Sequence, residues 1–356
     1  MMNKLQQLLA EKGKTYCALI ISPENRKYFT GFESSDGYLL ISHDRAVFIT
    51  DGRYIEAAEN SIKSAEVQLL EQKPFAQISR ILNEMGCQQL LIEATRTTVS
   101  IYNSLKGVLK KTTISTDNTL DTIINTIRSV KSKTEVEQIV KAQRIAEDAF
   151  EHILKFIKSG VTEKEIALEL DFYMLRNGGE GLSFETIAVS GKNSSMPHGV
   201  PSNKKIENGD FVTLDFGTII GGYHSDMTRT IAVGFATDEM VNVYNTVLNA
   251  QCNCIKNIKA GVSCKDGDAF ARNIIKASGY GQYFTHSTGH GVGVEIHEFP
   301  NLSPASTSIL EVGNIVTVEP GIYIPGKFGV RIEDMVLIEE SGCQNLTKAP
   351  KDLIVL

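Results

Sequence analysis

Five side chains between residues 215 and 333 have the types and spacing to hold metal: Asp215, Asp226, His290, Glu319 and Glu333. Four carboxylates and one imidazole suit a pair of divalent cations about 3.5–4 Å apart. Each lies in an apolar or glycine-bearing run: Asp215 in FVTLDFG, Asp226 in GYHSDMTRT, His290 in HSTGHGVG, Glu319 in IVTVEPG and Glu333 in GVRIEDMVLI. A carboxylate buried in such a run is costly unless something pairs with it. Shared cations are the simplest partner for all of them. Oxygen-rich ligation with one imidazole suits hard to borderline ions, with Mn2+ ahead of Co2+, Zn2+ or Fe2+.

The local patterns say what must position these groups. FVTLDFG and HSDMTRTIAVG read as strands joined through TIIGGY, whose Gly-Gly pair suits a hairpin turn. The hairpin would set Asp215 and Asp226 side by side, where two carboxylates repel unless a cation fills the gap. Two surface aspartates flanking a turn are the plainer reading of that pair alone, and the other three residues weigh against it. GHGVG around His290 lacks the G-x-G-x-x-G spacing and the strand–turn–helix context of a dinucleotide loop. Its glycines let the backbone pass close to a ligand or another chain, and His286 and His297 flank it. Glu319 precedes Pro320-Gly321, so its strand is expected to end in a turn. Alternation through GVRIEDMVLI puts Arg331, Glu333 and Met335 on one face and Asp334 on the other. Arg331 is then placed to fix the Glu333 carboxylate or to hold a substrate anion, or simply to form an ion pair. Asp334 is the weaker ligand candidate. The same alternation puts His224 on the face of Asp226, whereas His43 reads as a turn residue and His152 as a helix-surface residue.

The frame around these motifs has two parts. Residues 1–127 alternate strand and helix, with strands in YCALIIS, GYLLIS, AVFIT, VQLLE, QLLIE and TTIS, which predicts an α/β domain with a mixed sheet. A polar segment, IRSVKSKTE, follows. Residues 128–356 open with a helix from about 135 to 158, where apolar residues recur at helical period. A second helix starts at the Thr162-x-x-Glu165 capping box and stops at Asn177-Gly178-Gly179. Strands follow from 180, interrupted by helices over about 238–259 and 265–278. The order helix pair, strands, helix pair, strands hints at a duplicated half.

Composition bounds the partners. The 356 residues are 42% hydrophobic and 22% charged, with a net charge of −6, and the pI of about 5.7 leaves no global basic field for nucleic acid or an anionic membrane. No apolar run approaches a membrane span, and MMNKLQQLLAEKGK lacks the apolar core of a signal peptide. The six cysteines form no CxxC pair, so the expectation is free thiols in a reducing cytoplasm.

The ordered set Asp-x10-Asp, HSTGHGVGVEIHE, VEPGIY and VRIED, with SGKNSSMPHG upstream, resembles the proline-specific branch of the pita-bread metallopeptidases. That branch contains the Xaa-Pro aminopeptidases (aminopeptidase P) and the Xaa-Pro dipeptidases (prolidases). The resemblance is close over 128–356 and looser over 1–127, through TGFESSDGYLLIS and Asp51-Gly52-Arg53-Tyr54. It implies an α+β protein whose C-terminal creatinase/aminopeptidase-type domain has a curved antiparallel sheet flanked by helix pairs. It implies two divalent metals on Asp215, Asp226, His290, Glu319 and Glu333, a homodimer, and a proline-containing peptide as substrate. It assigns substrate contact to His198, stabilisation of the tetrahedral intermediate to His297, and supporting roles to His286 and Arg331. The implied reaction is hydrolysis of the bond between an N-terminal residue and proline, by a water bridging the metals with Glu319 as base. Creatinase-like amidinohydrolases share the fold without the metals, and methionine aminopeptidases share the ligands without the long N-terminal domain and PHG. A non-catalytic peptide-binding module would have eroded ligands. DGRY leans towards the aminopeptidase and the short total length towards the dipeptidase.

Overall fold

The computed structural model describes residues 1–356, which divide into two compact units, Met1–Ile127 and Arg128–Leu356. In the first unit, α1 (Met2–Lys12), β1 (Tyr16–Ile20) and α2 (Pro23–Thr30) are followed by β2 (Tyr38–Ile41), β3 (Ala46–Thr50) and α3 (Ile55–Ser61). Then come β4 (Glu66–Leu69), α4 (Pro74–Glu84), β5 (Gln89–Ile92), α5 (Val99–Val108), β6 (Thr113–Ser115) and α6 (Thr119–Ser129). The strands form one sheet in the order β4-β3-β2-β1-β5-β6. It is mixed: β1/β2 and β2/β3 are antiparallel, whereas β1/β5, β3/β4 and β5/β6 are parallel. Leu19, Leu40 and Leu90 from the sheet pack with Ile78 and Leu82 of α4.

Three helices of this unit depart from the sequence reading. The first is α1, whose buried Met2, Leu5 and Leu9 give it one apolar face. The second is α2, which starts with Pro at its first position and ends on Gly31 at φ 72°; its buried Asn25 and Arg26 hide the usual apolar stripe. The third is α6, which runs into the stretch read as a polar segment. There Arg128 and Lys131 are buried, with Glu298 between them and Glu295 beside Arg128.

The second unit opens with α7 (Lys133–Phe156) and α8 (Glu163–Arg176), each started by a complete capping box, Ser132/Glu135 and Thr162/Glu165. β7 (Ile187–Ser190), β8 (Phe211–Phe216), β9 (Ile219–Ile220), β10 (Tyr223–His224) and β11 (Met227–Ala232) follow. After α9 (Asp238–Asn257) and α10 (Cys264–Ala277) come β12 (Gly289–Gly291), β13 (Glu298–Leu302) and β14 (Ile315–Val318). The last strands are β15 (Gly321–Ile324), β16 (Phe328–Arg331), β17 (Asp334–Ile338) and β18 (Cys343–Asn345). They form antiparallel sheets in the orders β11-β8-β7, β13-β12-β14-β17-β18, β15-β16 and β10-β9. Each helix pair has its own core. Phe150, Ile166 and Leu170 of α7 and α8 meet Leu214 and Phe216 of β8; Val247 and Ile275 of α9 and α10 meet Val316 and Val336.

The strand breaks matter more than the strands. Glu319 and Pro320 fall between β14 and β15, which belong to different sheets, so the expected turn is a switch of sheet. Ile332 and Glu333 fall likewise between β16 and β17. The strand read through GVRIEDMVLI is therefore interrupted, although Arg331 and Glu333 still line one cavity that Asp334 does not. No helix is long and apolar enough to cross a membrane.

Candidate active site

Asp215 is the only one of the four carboxylates inside a regular strand. It sits in β8, across from Thr228 of β11 and Ile187 of β7. Asp226 lies in the gap before β11, and Glu319 and Glu333 lie at the two sheet switches. A strand break turns a side chain out of the pleat, which lets carboxylates from separate sheets converge. Backbone bonds fix the breaks: Glu319 N donates to Thr288 O at 2.8 Å and Glu333 N to Thr228 O at 3.1 Å.

The side chains meet in a cavity of about 630 Å³, lined by all five of these residues and also by His198, His286, His297 and Arg331. Ligand atoms of Asp226, His290 and Glu333 lie within 4.8 Å of one another. His290 Nε2 stands 3.6 Å from Asp226 Oδ2 and 3.4 Å from Glu319 Oε1. Its Nδ1 is 3.0 Å from Gly291 O. A carbonyl only accepts, so Nδ1 carries the proton and the Nε2 lone pair faces the carboxylates, as a metal ligand requires.

The electrostatics fit a cation in the same place. Burial, followed by the neighbouring charges of Asp215 and Glu319, holds the Asp226 carboxyl well above its ordinary range. Glu333 is raised by burial and then by Asp226. Glu319 is pushed up to about 8, by burial first and Asp215 next, against the opposing charge of Arg331. Asp215 Oδ1 is buried without a hydrogen-bond partner. Crowded, desolvated oxygen donors of this kind suit divalent cations.

Hydroxyl groups hold the carboxylates from behind. Thr228 Oγ1 donates to Glu333 Oε2 at 2.7 Å, and Thr317 Oγ1 donates to Glu319 Oε1 at 3.2 Å. Arg331 donates through Nη2 to Asp215 Oδ2, through Nε to Thr228 Oγ1 at 3.0 Å, and through Nη1 to Tyr323 Oη at 2.7 Å. Burial, with Arg331 nearby, pulls His286 down to about 4, so its ring is neutral. Its Nδ1 donates to Ser287 O at 2.8 Å, which leaves Nε2 to accept from Tyr323 Oη at 2.9 Å. The chain Arg331–Tyr323–His286 thus has one direction. Burial also lowers His290 to about 4, and lowers His297 with help from His198. The His290 and His297 rings meet edge to face at 4.3 Å.

Sequence reasoning missed Thr228, Thr317 and Tyr323. The available signal was closeness in sequence: Thr317 stands two residues before Glu319, and Thr228 two after Asp226. It also left the apolar walls unnamed, which include Phe184, Ile187, Val200 and Ile296. Two secondary candidates fall elsewhere. His224 is not among the cavity-lining residues, because β10 ends at His224 and β11 begins at Met227, so alternation does not carry across the gap. Asp334 is held at 2.8 Å by both Arg229 and Lys351, with Gln251 and Asn345 also donating.

The chain is similar to a Xaa-Pro dipeptidase of Pyrococcus furiosus, with 39% identity over 337 residues, covering 94% of each. It is similar to the solved Xaa-Pro dipeptidase from Bacillus anthracis at TM-score 0.95 and 43% identity, covering 100% of this chain and 99% of that one. It is also similar to the X-Pro aminopeptidase from Thermotoga maritima at TM-score 0.93 and 36% identity, again covering 100% and 99%. Residues 1–130 match the creatinase/prolidase N-terminal domain and residues 137–340 match metallopeptidase family M24. The chain therefore belongs to metallopeptidase family M24, its pita-bread fold following a creatinase/prolidase N-terminal domain in sequence.

Proposed function

We propose that this chain is a metal-dependent exopeptidase that hydrolyses the bond between an N-terminal residue and proline. The observation that carries this is the convergence of Asp215, Asp226, His290, Glu319 and Glu333 with His198, His286, His297 and Arg331 on one cavity. The names of the relatives at 39% and 43% identity support the substrate class.

Asp215, Asp226, His290, Glu319 and Glu333 would hold two divalent metals, with Mn2+ as the first choice. Bound there, the metals supply Lewis acidity and a water nucleophile active near neutral pH. The chain's own residues do the rest. Glu319 takes a proton from the attacking water and delivers it to the leaving imino nitrogen. His297 donates to the oxyanion that develops on the scissile carbonyl, where a preorganised donor acts most strongly. His198, on the cavity wall, orients the peptide. Arg331 holds Asp215, and Thr228 holds Glu333, so the carboxylates do not rearrange during turnover. The apolar walls accept the pyrrolidine ring and exclude water from it. A homodimer in the cytoplasm is the assembly and location we propose alongside this reading.

The test is to strip the protein, reload it with Mn2+, and offer a Xaa-Pro dipeptide beside a longer Xaa-Pro peptide. Cleavage of the dipeptide alone assigns a dipeptidase; efficient cleavage of the longer peptide assigns an aminopeptidase. Failure to cleave either returns the chain to a peptide-binding role.

A further inference from the structure

His198 stands on residues 191–201, between the end of β7 and Ser202. This segment also supplies Pro197, Gly199, Val200 and Pro201 to the cavity wall. Its tip is exposed, with Met196 at 50% and Val200 at 75%. Apart from a short 3-10 turn over Gly191–Ser195, it has no regular structure. Something besides the loop's own turns must therefore set where this wall stands.

Glu163 is that something by geometry. It is the first residue of α8 and is fully buried, with 0% exposure, yet it does not line the cavity. Its Oε1 accepts from Ser190 N at 2.7 Å, Ser190 Oγ at 2.9 Å and Asn193 Nδ2 at 3.1 Å. Its Oε2 accepts from Ser202 N at 3.0 Å, Ser202 Oγ at 2.6 Å and Asn193 Nδ2 at 3.2 Å. One oxygen thus binds the segment where it leaves the sheet, and the other binds it where it returns. The helix terminus adds main-chain bonds to the returning side, Glu163 N to Lys204 O at 3.0 Å and Lys164 N to Ser202 O at 3.1 Å. The far side of the loop rests on the site itself, with Gly329 N donating to Ser194 Oγ at 2.9 Å and Arg331 Nη1 to Pro197 O at 3.2 Å.

We propose that Glu163 is a positioning residue for substrate binding: its two carboxylate oxygens clip together the ends of the 191–201 loop and so fix His198 and the cavity wall. A capping role alone does not explain it. The N-cap of α8 is Thr162, whose hydroxyl and Glu165 already complete the box. Both oxygens of Glu163 face a backbone N–H, which cannot reverse its polarity. An amide has one acceptor and one donor, so Glu163→Gln keeps one end of the loop and opposes the other. The kinetic part of this inference rests on the Xaa-Pro reading; the structural part does not.

The experiment compares wild type, Glu163→Gln and Ser202→Ala, using hydrogen–deuterium exchange of the full-length protein and kinetics of the Mn2+-loaded enzyme on an Ala-Pro dipeptide. Glu163→Gln is expected to speed exchange in residues 191–201 while α9 and α10 keep their protection. It should lower kcat/KM by roughly 10–100-fold, mainly through KM, because the wall contacts substrate in ground and transition states alike. Ser202→Ala should move both readouts in the same direction by less, and it serves if the Gln variant does not fold. Unchanged exchange in 191–201, or faster exchange with KM and kcat unchanged, overturns the proposal. If wild type cleaves no Xaa-Pro peptide, the functional reading fails, and the exchange comparison alone still decides whether Glu163 is the clip.

Discussion

Thr228 of β11 and Glu333, in the break between β16 and β17, share a 2.7 Å hydrogen bond in which the threonine hydroxyl donates to the carboxylate. The same hydroxyl accepts from Arg331 Nε at 3.0 Å. Thr228 is fully buried, so water cannot replace it. One small side chain therefore sets both the last carboxylate of the proposed metal set and the arginine that holds the first.

Thr228→Val should break this link at nearly constant volume. It leaves Glu333 Oε2 and Arg331 Nε short of a partner, and we expect metal affinity or activity to fall by roughly 10–100-fold. Thr228→Ser should keep most of both. A Mn2+ titration beside a kcat/KM measurement checks this, and a Val variant equal to wild type would remove Thr228 from the account.

Arg229 concerns stability rather than chemistry. It donates to Asp334 Oδ1 at 2.8 Å and to the carbonyls of Thr228, Glu333, Ala349 and Pro350. Arg229 and Asp334 are 1% and 0% exposed. Arg229→Met leaves a buried carboxylate without its arginine partner, and we expect a loss of about 3–5 kcal/mol. Chemical denaturation of the variant measures it. A loss within the scatter of ordinary surface substitutions would contradict it.

The histidines should separate in kinetics. His297→Ala is expected to lower kcat by roughly 100–1,000-fold with little change in KM, as removal of an oxyanion donor does. His198→Ala should act mainly on KM. Steady-state kinetics on one Xaa-Pro dipeptide distinguishes the two patterns, and identical profiles would refute the division of roles.

The pH dependence of the metal-free protein has a definite sign. Glu319 is raised from 4.5 to about 8 on folding. Its protonated form favours the folded state, so this contribution is full below 4.5 and is lost as pH rises through 8. His286 and His290 are lowered from 6.5 to about 4. Their contribution is full above 6.5 and is lost as pH falls through 4. Between pH 6.5 and 8 the histidines are silent and the carboxylates decide. The Tm of the metal-free protein should fall across that interval, and the gain in Tm from added Mn2+ should grow as the ligands shed protons. Thermal scans with and without Mn2+ measure both slopes, and a Mn2+ gain that shrinks with pH would contradict the assignment.

Much of the site was legible because its chemistry breaks a local rule. Carboxylates inside FVTLDFG or IVTVEPG have no plain reason to be there. The long helix α7 and the Thr162 capping box were likewise open to period and spacing. What stayed hidden obeyed local rules for another reason. Thr228 and Thr317 pass as ordinary strand threonines, and Glu163 as a first-turn acid of a helix; the partners of Thr228 and Glu163 are distant in sequence. The sheet switches at Glu319 and Glu333 stayed hidden because a turn after Glu319 and an unbroken strand through GVRIEDMVLI are the plainer local readings of those runs. The burial of Arg128 was missed because an arginine in a polar run gives no sign of Glu298, which lies far along the chain.

The central claim is that these carboxylates hold metal for the cleavage of a bond before proline. The most direct test offers Ala-Pro and Ala-Ala dipeptides to the stripped protein before and after Mn2+ is added, with Glu333→Ala run in parallel. Cleavage of Ala-Pro only after Mn2+ addition, with Ala-Ala untouched and the variant inactive, is the predicted result. Equal cleavage of both dipeptides, or cleavage of Ala-Pro that ignores Mn2+ or survives the loss of Glu333, would contradict it.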